Sequence, residues 1–249
     1  MALARGLGRR GERVLVLDET RPPHHVGGQL GILMRHSLAD AAQQGLLGIA
    51  QPAGDGIVLM AAEGGVGALA ELAESDLRDL ADDWQARAEP PEWLVLNGAE
   101  PGPEPGLAAT ADDRVLVLPG SKSRLADAYA LLKSTQAFRT GHAWWILVES
   151  QDPAQAEALF ASLAETAHRF LGIRPEYLGH LPRGKSGTPI APLDGQRMDR
   201  LAGEQSGSGG EPRVTFAQFW QRMWLHSRMV AEAVHQNNAT ARVSHASWR

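Results

Sequence analysis

Five apolar runs of four or five residues alternate with helically patterned stretches along this 249-residue chain, and that rhythm leaves few folds open to it. The runs are Val14–Leu17, Ile57–Ala61, Trp93–Leu96, Arg114–Leu118 and Trp145–Val148, with a shorter one at Glu176–Leu178. Most are nearly continuous in apolar residues, as strands covered on both faces must be. The stretches between them, Ser37–Gln44, Val66–Leu72, Ser75–Ala88, Lys122–Ser134 and Pro153–Leu171, read as helices. In the last, Ala156, Leu159, Phe160, Leu163, Ala167 and Phe170 recur at helical spacing. Strand and helix in alternation predict an α/β three-layer sandwich around a mostly parallel twisted sheet.

The first eighteen residues narrow this further. Met1–Gly8 reads as a short helix, Arg9–Glu12 as a turn, and Arg13–Asp18 as a strand ending in an acid. Helix, turn and strand in that order are the second half of a βαβ nucleotide-binding unit, whose first strand and phosphate loop come before the helix. In the sequence as it stands that first half is missing.

Asn97–Glu104 is too rich in Gly and Pro for regular structure, and 183–213 is polar and ends in a Gly/Ser run. The expected organisation is therefore an α/β domain over 1–182, a flexible linker over 183–213, and an amphipathic helix with a tail over 214–249. The absence of cysteine excludes disulfides, thiolate metal sites and cysteine nucleophiles. A net charge of −5 argues against general nucleic-acid binding. No apolar run approaches the roughly 18–20 residues of a membrane span, and no secretory h-region opens the chain, so a cytoplasmic location is expected.

Four stretches, in order, resemble the MinD/ParA group of deviant P-loop ATPases, and within it the flagellar-number regulators of the FlhG/FleN type. ARGLGRRGERVLVLDE is similar to the helix and strand after the P-loop, and GIVLMAAEGGVGALAEL to a later strand and helix. ADDRVLVLPGSKSRLADAYALLK is the most specific match, and FLGIRPEYLGHLPRG resembles a closing strand and loop. The likeness spans about Leu3 to Pro182.

The resemblance implies ATP hydrolysis, but the positions it maps onto are altered. The family holds ATP phosphates on a glycine-rich loop with two lysines. The family's strand-end acids read D-x-D, and here they are Asp18 and Thr20. Asn97 stands where a magnesium-associated aspartate is expected, and Glu100 where the switch loop has glycine. Glu149 replaces a purine-reading asparagine. Phosphoryl transfer rests on positioning and charge neutralisation. The expectation is a degenerate ATPase, with Asp18, Asn97 and Glu149 as vestigial cofactor positions, no confident catalytic residue, no metal site and no bound cofactor. ATP and magnesium return to the reading if the gene start has been placed too far downstream. Two alternatives remain: an active MinD/ParA-type ATPase with a mis-assigned N-terminus, and a cellulose-synthesis-associated relative of the same fold.

Other residues carry weaker signals. Glu63-Gly64-Gly65-Val66-Gly67 imitates a phosphate loop, yet Ala68 and Leu69 occupy the Lys and Ser/Thr positions, so a simple turn is expected. Asp18 reads equally as a site acid or as a cap for the next loop. His24 and His25 lack helical metal-pair spacing and are expected to be solvent-exposed. Ser121 reads as a helix N-cap, with Lys122 and Arg124 as solvated bases and Asp127, Ala128 and Tyr129 on a structural helix.

Val214–His235 reads as a further helix with an apolar stripe of Phe216, Phe219, Trp220, Met223, Trp224 and Val230, flanked by Arg213, Arg222 and Arg228. The stripe suits contact with a protein partner or anionic lipid, or docking on the domain's own surface. Its small basic excess favours docking. Protein partners, a homodimer and a peripheral membrane contact are the expected associations, and nucleic acid is not.

Overall fold

The computed structural model describes residues 1–21, 25–98, 105–136, 143–182 and 215–246. The expected linker at 183–213, His24 and Glu100 lie outside these residues. The chain divides into two compact units, Gly8–Thr110 with Pro212–Arg249, and Met1–Leu7 with Ala111–Glu211.

The first unit is built on a four-stranded sheet in the order β2-β3-β1-β4. Its centre is β1 (Val14–Asp18), which pairs in parallel with β3 (Ile57–Ala61) and β4 (Trp93–Asn97). Every residue of β1 is buried, which is why its sequence is continuously apolar up to the terminal acid. The edge strand β2 (Gln51–Pro52) runs antiparallel to β3. Pro52 suits an edge because it has no N–H to offer a ladder.

Around this sheet lie α2 (Val26–Gln29), α3 (Ala41–Ile49), α4 (Gly65–Glu71) and α5 (Glu74–Arg87). A 3₁₀ turn at Leu38–Asp40 leads into α3, and a reciprocal capping box between Ser37 and Asp40 fixes its start. The core gathers Leu15, Leu17, Met60, Leu69, Leu77 and Trp84.

The last helix, α8 (Phe216–Ala246), belongs to this unit. Phe216, Phe219, Trp220 and Met223 join the same core. Phe216 lies 5.4 Å from Trp84 between ring centroids and meets Trp220 edge-on. The helix is therefore an integral layer of this unit, the docked arrangement that its small basic excess favoured.

The second unit carries a three-stranded parallel sheet, β5 (Asp113–Pro119), β6 (Ala143–Glu149) and β7 (Glu176–Leu181), in that order. Two helices cover it, α6 (Leu125–Gln136) and α7 (Pro153–Leu171), and α1 (Ala2–Gly8) contributes its first residues to the unit. α7 follows its sequence signals closely. Asp152 caps the Ala154 N–H at 2.9 Å, Pro153 takes the first turn, and Gly172 closes the helix in the left-handed region at φ 70°. Ala156, Leu159, Leu163 and Ala167 are its buried face. The strands are thus mostly parallel, as expected, but they are distributed over two sheets.

Candidate functional site

The register of β1 decides what its terminal acid meets. Asp18 stands opposite Ala61 on one side and Asn97 on the other. Its carboxylate is 3 % exposed and accepts four hydrogen bonds. Oδ1 receives the Asn97 side-chain amide at 2.7 Å, the Thr20 hydroxyl at 2.7 Å and the Thr20 backbone N–H at 3.3 Å. Oδ2 receives the backbone N–H of Val26, the first residue of α2. Asp18 and Asn97, two of the sequence-derived positions, are therefore brought together. Each meets the other as a structural partner: the amide presents its N–H₂ group, not an oxygen, to the carboxylate.

Glu19 escaped the sequence reading. Successive side chains on an extended chain leave in opposite directions, and Glu19 reaches a 3₁₀ turn at Leu107–Thr110. Oε1 accepts the Leu107 N–H at 2.7 Å and Oε2 the Ala108 N–H at 3.0 Å. Desolvation raises its carboxyl above the usual range; the Leu107 and Ala108 amides oppose that shift and the Asp18 charge adds to it. The adjacent Asp-Glu pair at a strand end was the available signal. Its target, far along the chain, was not readable.

The turn at Glu63–Gly67 is a turn. Gly64 takes the left-handed conformation at φ 68° and precedes α4. Gly65 packs so closely that a Cβ there would lie 2.9 Å from Leu107 Cδ1. Its N–H bonds to the Ala62 carbonyl, and the Ala68 N–H bonds to that of Gly64.

His25 departs from the expected exposure. It is half-buried, and its Nδ1 is enclosed with no hydrogen-bond partner. Among the described residues no group of three or more His, Asp or Glu is arranged to hold a metal ion.

In the second unit Glu149 ends β6, opposite Pro119 and Leu181 in register. Ser121 takes the N-cap position of the 3₁₀ turn Lys122–Arg124, as expected, but its hydroxyl meets that of Ser123 at 2.6 Å and caps no backbone amide. Arg124 pairs with Asp127 at 3.0 Å on the surface.

The apolar stripe of α8 packs inward, in line with the docking that its small basic excess favoured. Phe216, Phe219, Trp220 and Met223 are buried in the core of their own unit. Polar contacts to backbone carbonyls reinforce the docking. Trp224 Nε1 donates to the Leu72 carbonyl at 2.9 Å, Arg222 to that of Thr110 at 3.3 Å, and His226 Nε2 lies 3.1 Å from that of Gly106. Arg228 sits over the Trp224 ring. Among the described side chains of this helix, the large apolar residues that stand exposed are Leu225 and Met229. No helix among the described residues is long and apolar enough to cross a membrane.

No protein-family profile matches the chain, and no curated protein sequence is detectably similar to it. Solved structures are. The MinD cell division protein of Aquifex aeolicus superposes with a TM-score of 0.53 at 16% identity, covering 85% of this chain and 92% of its own. A ParA family ATPase from Chlorobium tepidum TLS gives 0.51 at 14% identity, covering 91% and 90%. At such identities the likeness speaks to architecture alone. The strands, helices and their order give this chain the α/β fold of the MinD and ParA ATPases.

Proposed function

We propose that this chain is a regulatory protein of MinD/ParA type that acts through protein contacts and has lost ATP hydrolysis. The observation that carries this reading is the Asp18 carboxylate. Four donors from its own unit already occupy it. A magnesium ion seeks oxygen ligands, and Asn97 turns an N–H₂ group toward this carboxylate. The described residues at the ends of β1 and β4 therefore do not fit Mg-ATP, and no step of hydrolysis is assigned to them.

The process is proposed from the sequence likeness, above all ADDRVLVLPGSKSRLADAYALLK: control of flagellar number or placement, from the cytoplasmic side. In a protein that does not cycle nucleotide, partner binding is constitutive, because no ligand shifts one state against another. Partner contacts then fall on exposed surface such as Leu225 and Met229, not on the buried stripe of α8.

Isothermal calorimetry with ATP and magnesium tests the loss of hydrolysis at its root. The expected result is no measurable heat of binding; micromolar affinity overturns the reading. Deleting the gene and counting flagella by electron microscopy tests the process. An altered count is expected, and an unchanged one removes the flagellar assignment.

A further inference from the structure

The segment Pro105–Thr110 stands between the end of β1 and α8, and its backbone is divided between them. On the β1 side one side chain takes its amides. Glu19, 7 % exposed, receives the Leu107 and Ala108 N–H groups, one on each carboxylate oxygen. On the α8 side two side chains take its carbonyls. Arg222 Nη1 donates to the Thr110 carbonyl at 3.3 Å. His226 Nε2 lies 3.1 Å from the Gly106 carbonyl oxygen and 3.4 Å from that of Pro105. A carbonyl oxygen offers only lone pairs, so Nε2 is the nitrogen that carries a proton toward them. Arg222 and His226 are four residues apart on the helix and share one of its faces.

The turn is also closed on itself and plugged into the core. The Ala109 N–H bonds to the Gly106 carbonyl, and the Thr110 hydroxyl to that of Leu107 at 2.6 Å. Leu107 is fully buried, and its Cδ1 lies 2.9 Å from where a Cβ at Gly65 would be. Glu19 is in turn tied to β4, its backbone N–H donating to the Asn97 carbonyl at 3.0 Å. Withdrawal of Glu19 strands two N–H groups, and withdrawal of α8 strands the carbonyls. Groups joined in one buried network are held or released together, because each bond is easier to lose once its neighbours have gone.

We infer that Pro105–Thr110 is a latch coupling the end of β1 to α8. When Glu19 lets go of the turn, α8 is freed from Arg222 onward; when α8 lifts away, the turn is freed from Glu19. Coupling of this kind is reciprocal. A protein seated on the outer side of α8, where exposed Leu225 and Met229 stand on either side of His226 in sequence, is therefore felt beside Asp18 and Asn97. The latch involves no nucleotide, so its test is separate from that of hydrolysis.

Residue-resolved amide hydrogen exchange of the full chain by NMR tests this with E19Q, H226L and the double variant. E19Q keeps the shape of the side chain and replaces one acceptor oxygen with an N–H₂ group. Exchange in E19Q is expected to quicken about tenfold at Leu107 and Ala108, by a similar factor along α8 from Arg222, and less in β3. H226L is expected to quicken exchange at Leu107 and Ala108, which the His226 ring does not bond. R222M breaks the helix side at a second point and is expected to act as H226L does. The double variant E19Q/H226L should fall about fivefold short of the product of the single effects. Quickening confined to Pro105–Thr110, an equal quickening through β3, or single effects that multiply in full overturns the proposal.

Discussion

Asn97 Nδ2 donates to Asp18 Oδ1 at 2.7 Å across the β1–β4 pairing, so a side-chain bond continues the backbone register to the end of the sheet. Replacing the amide by a carboxylate sets two negative charges at hydrogen-bond distance in a buried place. N97D is expected to destabilise the four-stranded unit by about 2–4 kcal/mol, and N97A by about 1–2 kcal/mol. Urea midpoints of the three proteins check the order.

Glu19 gives the same unit a pH dependence of definite sign. Its carboxyl is raised in the fold, mainly by desolvation. The protonated form is therefore favoured on folding, and the associated stability is full below the ordinary carboxyl range and lost as pH rises through the raised value. Denaturation midpoints between pH 4 and pH 7 should fall with rising pH more steeply for the wild type than for E19Q. Equal slopes contradict the assignment.

Gly106 faces the same carboxylate: a Cβ there would lie 2.7 Å from Glu19 Oε1 and 2.9 Å from Oε2. G106A should push Glu19 off the Leu107 and Ala108 amides, at a cost of about 1–3 kcal/mol for the unpaired groups. Hydrogen exchange at the Leu107 and Ala108 N–H groups is the direct readout and should quicken.

The docked state of α8 separates core from surface. W220A removes a ring that is 1 % exposed and should cost about 3–5 kcal/mol, whereas L225A and M229A on the outer side should stay within about 0.5 kcal/mol. The same contrast bears on lipid. Co-sedimentation with anionic liposomes is expected to remain at background for the full chain, since the stripe that would enter a bilayer is already covered.

Reading order along the chain explains which features were legible beforehand. Strands such as Ile57–Ala61 and the helix Pro153–Leu171 matched their expected bounds because their signals are local: apolar runs, an Asp-Pro start, a closing glycine. The α/β class followed from their alternation. The 3₁₀ turns, the short α2 and the antiparallel β2 were missed because nothing in a few residues' pattern demands them; they exist to bring Val26 under Asp18 and to turn the chain at the sheet edge.

The site divided along the same line. Sequence pattern put an acid at the end of β1 and a neutral amide at the end of β4, and it marked one face of the final helix as apolar. Three-dimensional packing supplied the rest: that Asn97 bonds Asp18, that Glu19 reaches Leu107, and that Phe216 packs on Trp84 in one core. These partners lie tens to more than a hundred residues apart, and an apolar stripe carries no label for the surface it will cover. Periodicity is a property of neighbours along the chain; partnership is settled only when the folded backbone brings distant residues within a few ångströms.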